Sequence, residues 1–519
     1  MKRIYIILAT VCLLIQSCVN DEGNYDYVAI NEVDFENIND EYSVMTGSTL
    51  LEIDPLIHMS EGVNPDSDRF QYEWVCVAGN GKKHPIATTR VLRTTISLPT
   101  GSYTLWLKVK DKVTDVQWNT YTYLTVGTIY TRGILLIGEN EEGNAEAQML
   151  SMVADTVLIS DILKNSGLPA LQGPIQFIHT GTPYSSSYDV AVKVWVMTKS
   201  GSYWLDRESM KGSTENRSSK IIYTSLIPTE DLHVVDVAPK IINMNGGLGN
   251  NYNRAMVTSN GYVFLTGLGT NKDNYPDPVN RIGSNISNEF FPAAPYLFYP
   301  LQYFDGVMWY DTQNNRFMRI GNNGTYSFTI DDDSDKPFPW NQGNNGRTLV
   351  YGENTMNKNG GKSSGNSYAI MKDQAGEYFV YEFYARGGSK YAKLNSYQIK
   401  QEIATDFANA TMYAFSSLRT VLFYVANNKL YAYDYDPGNE KLYQFDIFGG
   451  DEISMIKFDT QINPTENALY IATYNSTNKG QLERYRVNTD PNSVTLTLDP
   501  TSVWHDLIKV KNFSWRPVK

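Results

Sequence analysis

The sequence predicts an all-β protein in which an N-terminal immunoglobulin-like sandwich is followed by a β-propeller of seven blades. Three observations support this fold class. Aromatic residues make up 13% of the chain and charged residues only 19%, a composition that favours strands. Residues 29–127 contain short runs in which apolar and polar residues alternate. Residues 128–519 repeat a unit of strands and turns about seven times, as expected for a repeat architecture.

The sandwich is predicted from the alternation within residues 29–127. In "FQYEWVCV", Tyr72, Trp74 and Cys76 share one face of a strand. "TTISLPTGSYTLWLKVKD" places a Pro-Thr-Gly turn before a second alternating run, which ends at Asp111. About seven such strands in some 100 residues are typical of an immunoglobulin-like sandwich. Cys76 is expected to be a small buried apolar residue of this core.

The propeller is predicted from seven groups of strands, each closed by a turn rich in Asn, Gly and Asp. Their spacing of roughly 45 to 60 residues fits propeller blades with loops of variable length. No group could bury both faces of its own small sheet, so the groups are expected to pack against one another in a ring. One helix is predicted, over residues 155–167, with Asp155 as its N-cap and Gly167 as its stop. The seven groups are residues 133–152, 190–206, 253–267, 295–320, 348–386, 411–445 and 453–487.

The N-terminus carries a targeting signal. Two basic residues precede an apolar stretch over residues 4–15, which is too short to span a bilayer. The stretch ends in "LIQSC", which resembles the bacterial lipoprotein signal. Residues 1–17 are therefore predicted to be a lipoprotein signal peptide, Cys18 to carry the lipid and residues 18–28 to form a tether. The alternative is an ordinary secretory signal followed by an incidental cysteine.

The predicted anchor holds the protein on a membrane without crossing it. Buried acyl methylenes contribute roughly 0.8 kcal/mol each, so several chains on one residue make the attachment permanent. Asp21 and Glu22 follow the cysteine, and an acidic pair there resembles the signal that sends Bacteroidetes lipoproteins to the outer face of the outer membrane. The expected location is therefore the cell exterior.

Charge and cysteine content argue against nucleic-acid binding and against an internal disulfide. The net charge is −12, and loss of Lys2 and Arg3 with the signal makes it −14, which repels the phosphates of nucleic acid. Nucleic acid is therefore not an expected partner. Cys12 leaves with the signal and Cys18 is committed to lipid, so Cys76 has no partner for an internal disulfide.

The chain as a whole resembles the PKD-like family of Bacteroidetes lipoproteins. The resemblance is carried by Cys18 with "DEGNYDY", and by the order of strand residues in "YEW" and "YTLWLKVKD", followed by the long aromatic β-region. It implies a surface lipoprotein encoded beside a starch-utilisation-type importer. Such an importer is a TonB-dependent channel with its own substrate-binding lipoprotein. The resemblance brings no set of catalytic residues, so none is assigned.

Motifs for catalysis or metal binding are weak. "GKSSG" has the spelling of a nucleophile elbow around Ser363, but its surroundings are rich in Asn and Gly and predict a loop rather than a strand-turn-helix. The five histidines are scattered and do not form a zinc motif. Asp331, Asp333 and Asp335 alternate in "DDDSD" and could converge on calcium, although an EF-hand loop would need other residues downstream. A solvated acidic turn is the preferred reading, and no cofactor is expected.

Aromatic residues outside the regular strand pattern are the best indication of a ligand site. They crowd around prolines in "NEFFPAAPYLFYPLQYFDGVMWYD" and accompany amides in "DKPFPWNQGNNG". Aromatic planes with nearby amide groups suit sugar rings or extended peptides. The alternative is that these rings fill gaps between blades. The candidate ligand-binding residues are Tyr299, Tyr303, Trp309, Trp340 and Asn341.

These observations favour a surface lipoprotein that binds a glycan or peptide nutrient, or an accessory partner, in a TonB-dependent import system. The second hypothesis is a cell-surface propeller glycoside hydrolase or lyase, because a catalytic carboxylate pair is defined by distance in space rather than by sequence spacing. The third hypothesis is a scaffold whose only ligand is the importer.

Overall fold

The computed structural model describes residues 31–153, 155–180, 192–242, 253–282, 289–321, 324–331, 334–388 and 390–517. Cys18, the predicted signal peptide and tether, and Asp333 lie outside the described residues. The chain divides into two compact units. One contains the residues up to Tyr42 with Thr49–Ile96 and Ser102–Leu124, and the other contains Ser43–Ser48, Ser97–Gly101 and the chain from Thr125 onward.

The N-terminal part is all β, as its sequence predicts. It consists of β1 (Val33–Glu36), β2 (Glu41–Met45), β3 (Leu50–Ile53), β4 (Leu56–Met59), β5 (Phe70–Ala78), β6 (Lys83–Ala87), β7 (Leu92–Thr95), β8 (Gly101–Asp111) and β9 (Gln117–Gly127). The large sheet has the strand order β2-β9-β8-β5-β6. Two small sheets pair β1 with β4 and β3 with β7.

Strand alternation decides which residues enter the core of this sandwich. Trp74 and Cys76 on β5 lie opposite Leu107 and Leu105 on β8, and none of the four side chains is exposed. Burial raises the pKa of the Cys76 thiol to about 12, so this cysteine stays protonated and inert. The structure therefore confirms that Cys76 is a buried apolar residue of the core.

The rest of the described chain forms seven antiparallel sheets, one for each predicted group of strands, and confirms the predicted propeller. We number these blades in chain order. Blade 1 contains β10 (Gly133–Glu139), β11 (Ala145–Ser151), β12 (Val157–Ile159) and the last strand of the chain, β34 (Lys509–Arg516). Blade 2 contains β13 (Pro174–His179), β14 (Val194–Thr198) and β15 (Ser202–Leu205); blade 3 contains β16 (Val234–Ala238), β17 (Asn253–Thr258) and β18 (Val263–Gly267).

The later blades follow the same order. Blade 4 contains β19 (Gly306–Asp311), β20 (Arg316–Gly321) and β21 (Phe328–Thr329), and blade 5 contains β22 (Thr348–Asn354), β23 (Ser367–Lys372), β24 (Tyr378–Tyr384) and β25 (Ala392–Gln398). Blade 6 contains β26 (Ala410–Phe415), β27 (Val421–Ala426), β28 (Lys429–Asp434) and β29 (Lys441–Phe445), and blade 7 contains β30 (Glu452–Phe458), β31 (Ala468–Asn475), β32 (Lys479–Val487) and β33 (Leu496–Leu507).

Helical structure in the described residues is limited to single turns. The α-helix α1 spans Leu268–Asn271, and 3₁₀ turns span Thr214–Asn216, Ser218–Ile221, Asn359–Gly361 and Phe407–Asn409. Within the described part of the chain, no helix has the length and apolar character needed to cross a membrane.

The predicted helix over residues 155–167 is wrong. Val157–Ile159 forms β12, the outer strand of blade 1, where it pairs with β11. Asp161 and Gly167 have positive φ angles of 55° and 90°, which a continuous α-helix does not contain. A helix as short as this one is only marginally stable by itself. As a strand, the segment instead forms backbone hydrogen bonds with β11 at the edge of blade 1.

Each blade buries both of its faces, one against each neighbour. On β28 of blade 6, Leu430 and Ala432 belong to the apolar cluster shared with blade 7, whereas Tyr431 and Tyr433 belong to the cluster shared with blade 5. Alternate residues of one strand therefore stabilise two different interfaces. This is why the strands are apolar on both faces.

The ring closes through the last strand. β34 pairs antiparallel with β10 along the whole stretch from Gly133 to Glu139, so both ends of the propeller sequence share blade 1. The pairing contains a bulge at Gly138. A Cβ atom at Gly138 would lie 2.1 Å from the carbonyl oxygen of Lys509, so the close approach of the two strands requires glycine here.

Removal of the Trp515 ring should destabilise the propeller strongly. Trp515 on β34 is 1% exposed and packs between blades 7 and 1. We expect Trp515→Ala to lower the free energy of unfolding by about 3–5 kcal/mol, measured by urea denaturation with circular dichroism. Tyr223→Ala is the control, because Tyr223 is 64% exposed and its loss should change stability by less than about 0.5 kcal/mol. Equal effects of the two substitutions would contradict the role of β34.

Candidate functional site

The innermost segments of all seven blades surround a cavity of about 610 Å³, which we call the central cavity. It is lined by residues of β13, β16, β22, β26, β30 and β34, and in blade 4 by residues 295–299. The blade 4 segment pairs with β19 through Phe298 and Met308. The volume lies within the range of small-molecule binding sites. Because every blade contributes, the cavity exists only when the ring is closed.

The central cavity is open at one end. Pro295 and Thr411, near the amino ends of their segments, are exposed. Ile241, Phe458 and Gln461, at or beyond the carboxyl ends of the inner strands, line the same cavity and are buried. The cavity therefore reaches solvent at the amino-terminal ends of the inner strands, and the residues that line it near their carboxyl ends are buried.

Three neighbouring blades place a row of tyrosines on one side of the cavity, which we call the tyrosine wall. Tyr296, Tyr351 and Tyr413 come from blades 4, 5 and 6 and are each partly exposed. The ring centroids of Tyr296 and Tyr351 are 5.8 Å apart, and those of Tyr351 and Tyr413 are 5.3 Å apart. Because each ring is held by its neighbour, the wall offers apolar area that loses little conformational entropy on binding.

Polar side chains bridge each junction between successive blades. At five junctions the bridging side chain is neutral, and it forms a hydrogen bond with a backbone group of the neighbouring blade. These bridges are Asn512 to the Ile175 carbonyl at 3.0 Å, Gln176 to the Val235 carbonyl at 2.9 Å, the Lys240 N–H to the Tyr299 hydroxyl at 2.8 Å, Asn354 to the Leu297 carbonyl at 2.8 Å, and the Ile453 N–H to the Asn428 side-chain oxygen at 2.8 Å.

The other two junctions are bridged by charged side chains. Between blades 5 and 6, Glu353 Oε2 accepts the Phe415 N–H at 2.9 Å. Between blades 7 and 1, Lys457 Nζ donates to the Phe513 carbonyl at 2.7 Å and to Asn512 Oδ1 at 2.9 Å. Both charged groups line the central cavity and are half-buried.

Burial shifts both of these groups toward neutrality. Desolvation raises the pKa of Glu353 to about 7, against the hydrogen bonds from Phe415 and Tyr351 and the charge of Lys457, which lower it. Desolvation, with Lys240 as a second cause, lowers the pKa of Lys457 to about 7, against the attraction of Glu353 and Asp236. A perturbed acid and a perturbed base therefore face the same cavity, which is a feature of functional sites.

A second charged pair in the central cavity is already satisfied internally. Lys240 Nζ lies 2.8 Å from Asp236 Oδ1, and Gln176 Nε2 donates to the same oxygen at 2.9 Å. These two opposite charges therefore pair with each other without a ligand.

The structure does not bring the five predicted ligand-binding residues together. Tyr299 lines the central cavity but is 1% exposed, and its hydroxyl is used in the bridge to Lys240. Tyr303 is half-buried beneath Arg386, whose guanidinium carbon lies 4.3 Å from the ring centroid. Asn341 is exposed on another part of blade 4.

The two predicted tryptophans pack between blades. Trp309 on β19 is fully buried in the cluster between blades 3 and 4, and Trp340 is 3% exposed in the cluster between blades 4 and 5. Neither presents a ring face to a ligand, because the same rings fill the wedge of space between adjacent sheets. For these two tryptophans, the alternative stated in the sequence analysis is therefore correct, since their rings fill gaps between blades.

The sequence prediction missed most of the cavity residues. These residues are Tyr351, Glu353, Tyr413 and Lys457, and they lie on regular strands rather than in aromatic loops. They come from three strands that are far apart in the chain. One signal was present in the sequence. Each of the four lies on the first strand of its repeat, which is the innermost strand of its blade.

The weaker sequence motifs remain separate from this site. Ser363 lies in an exposed turn between a 3₁₀ turn and β23, so the loop expected there is confirmed. Asp331 and Asp335 are exposed. Among the described residues, no group of His, Cys, Asp and Glu side chains is arranged to hold a metal ion.

The N-terminal region of the chain is similar to a known family. The PKD-like family matches residues 18–173, which include all strands of the sandwich and β10 to β12 of blade 1. No curated protein matches the chain.

Several solved structures are similar to the chain at low identity. A quinonprotein alcohol dehydrogenase-like protein from Bacteroides thetaiotaomicron is 12% identical, with 94% of this chain and 99% of that one covered and a TM-score of 0.36. PorZ, a surface component of the type-IX secretion system of Porphyromonas gingivalis, is 10% identical, with 77% and 44% covered and a TM-score of 0.31. The extracellular domain of a one-component system of B. thetaiotaomicron is 8% identical, with 83% and 64% covered and a TM-score of 0.33.

Glu353→Gln should remove a pH dependence of stability. Because the pKa of Glu353 is raised from 4.5 to about 7, the folded protein binds more protons than the unfolded chain in this interval. The contribution of Glu353 to the free energy of unfolding therefore falls as pH rises from about 4.5 to 7. The amide of the variant still accepts the Phe415 N–H. We expect the variant to gain on the order of 2 kcal/mol over the wild type between pH 5 and pH 8, measured by urea denaturation.

Glu215→Gln is the control for this experiment, because the Glu215 side chain is 77% exposed. Its stability should follow that of the wild type at every pH. Lys457 acts with the opposite sign above pH 7, since its pKa is lowered, but it is present in both proteins, so the comparison between them isolates Glu353. Parallel curves for Glu353→Gln and the wild type would contradict the assignment.

Proposed function

We propose that this protein is a lipoprotein of the outer cell surface whose propeller binds a nutrient-derived glycan or peptide in the central cavity, as part of a TonB-dependent import system. The observation that carries the proposal is the tyrosine wall in an open cavity of about 610 Å³. The three rings pack against the clusters between blades on one side, but unlike Trp309 they are not fully buried. Their partial exposure leaves apolar area available to a ligand.

The lipid anchor is supported by the N-terminal sequence. Residues 4–15 are apolar and end in "LIQSC", and the match to the PKD-like family begins at Cys18. Asp21 and Glu22 support export to the outer face of the outer membrane. The link to an importer and its substrate-binding lipoprotein rests on the resemblance to PKD-like lipoproteins.

A surface hydrolase or lyase is the second candidate. The observation in its favour is the pKa of Glu353, which burial raises to about 7 and which suits a general acid at neutral pH. The other inward carboxylate, Asp236, is held by Lys240 and Gln176 and is less available as a nucleophile. Release of new products from a glycan or peptide mixture, lost in Glu353→Gln, would favour the enzyme.

Cys18→Ala should release the protein from the membrane. Cells grown with an alkyne-labelled fatty acid should incorporate the label into the wild-type chain and not into the variant, because Cys18 is the predicted acyl acceptor. Protease added to intact cells should degrade the wild-type protein, while a periplasmic control protein stays intact. An unlabelled wild-type chain, or one protected from the protease, would contradict the proposed location.

Tyr296→Ala should weaken ligand binding without unfolding the propeller. The protein is incubated with pools of oligosaccharides and of short peptides, and retained compounds are identified by native mass spectrometry. We expect the variant to bind the retained compound roughly tenfold more weakly, since it loses a ring contact equivalent to about 1.4 kcal/mol. Tyr223→Ala should bind as the wild type does, because Tyr223 is exposed and does not line the cavity. Equal binding by the two variants would place the ligand elsewhere.

A further inference from the structure

Two opposite charges face the central cavity without an ion-pair partner. Among the described residues, no cation lies within 4.0 Å of Glu353 and no carboxylate lies within 4.0 Å of Lys457. The Glu353 Oε2 atom accepts hydrogen bonds from the Phe415 N–H and, at 3.2 Å, from the Tyr351 hydroxyl, and Oε1 accepts none from the described part of the chain. The Glu353 carboxylate therefore has hydrogen-bond acceptor capacity that the described residues do not use.

Lys457 also has a hydrogen-bond donor that the described residues do not use. An ammonium has three N–H donors, and the described residues take two of them, through the Phe513 carbonyl and Asn512 Oδ1. The third donor is left for the cavity. Glu353 and Lys457 come from blades 5 and 7, with blade 6 between them, and each influences the titration of the other.

Bridging between blades does not explain why these two residues are charged. Asn512, Gln176 and Asn354 make equivalent bridges with neutral amides at other junctions. A glutamine in place of Glu353 could accept the same N–H. Desolvation of a charge costs stability unless the charge is paired, so charged residues here are a disadvantage to folding alone.

The other charged residues that line the cavity each have an ion-pair partner. Asp236 and Lys240 neutralise each other at 2.8 Å, and Lys511 lies 3.9 Å from Glu139 near the open end. Among the charged residues that line the described cavity, only Glu353 and Lys457 have no ion-pair partner within 4.0 Å. Charge complementarity then defines the missing partner as one molecule with both a cation and an anion.

We propose that the ligand of the central cavity is zwitterionic, a short peptide whose free ammonium pairs with Glu353 and whose carboxylate pairs with Lys457. This inference rests on the proposed function and selects peptide over glycan. An apolar side chain of the peptide packs on the tyrosine wall, formed by Tyr296, Tyr351 and Tyr413, which lines the same cavity as the two charges. The volume of the cavity suits a ligand of this size.

Calorimetry with capped peptides tests the inference on the wild-type protein. The probes are Ala-Phe and Ala-Ala-Phe with free ends, the same peptides N-acetylated, and the same peptides as C-terminal amides. Each cap removes one charge and leaves the Phe side chain unchanged. We expect at least one free peptide to bind ten times or more tightly than either of its capped forms.

Two variants assign each charge to its partner. Glu353→Gln should bind the free and N-acetylated peptides equally while still discriminating against the amide. Lys457→Met should show the reverse pattern. Glu215→Gln and Lys220→Met are the matched controls, because these two residues form an exposed pair at 3.4 Å and should leave every affinity unchanged. Thermal melts monitored by circular dichroism confirm that each variant is folded.

The outcomes separate this inference from the proposed function. Equal affinity for free and capped peptides overturns the inference. So does binding of an oligosaccharide that is weakened by Tyr296→Ala when no peptide binds, although the proposed function then stands. If neither class binds in the cavity, both fail.

Discussion

The pairing of β34 with β10 is the interaction on which the rest of the propeller depends. Each blade buries one face against the blade before it and the other against the blade after it, so an open ring would expose the outer faces of blades 1 and 7. β34 covers both of these faces, because Phe513 and Trp515 pack in one cluster with Leu136 of blade 1 and Tyr470 of blade 7. The rings of Tyr470 and Phe513 have centroids 4.5 Å apart.

Closure also creates the central cavity and determines what lines it. Seven inner segments converge without filling the axis, and their edge backbone groups need partners from the neighbouring blade. Side chains such as Asn354 and Gln176 supply those partners, so much of the polar lining serves the ring itself. Glu353 and Lys457 also bridge neighbouring blades, but neutral side chains make the bridges at the other junctions, so the ring does not require their charges. The three tyrosines of the wall pack between blades and stay partly exposed in the cavity.

The sequence predicted the fold better than the site, for a physical reason. Alternation along a strand is a local property, so "GSYTLWLKVKD" and the seven repeats could be recognised without any knowledge of neighbours. Exposure of an aromatic ring is a tertiary property. Trp309 and Trp340 looked available in the sequence but fill the space between blades, whereas Tyr351 and Tyr413 looked like ordinary strand residues but face the cavity.

The sequence by itself determined the all-β class, the division into sandwich and repeats, the number of blades and the burial of Cys76, because these follow from local periodicity and composition. Only the tertiary structure decided that the last strand completes the first blade, that residues 157–159 form a strand, and which side chains share the cavity. Glu353 and Lys457 are about a hundred residues apart in the chain, and only the closure of the ring brings them to one space.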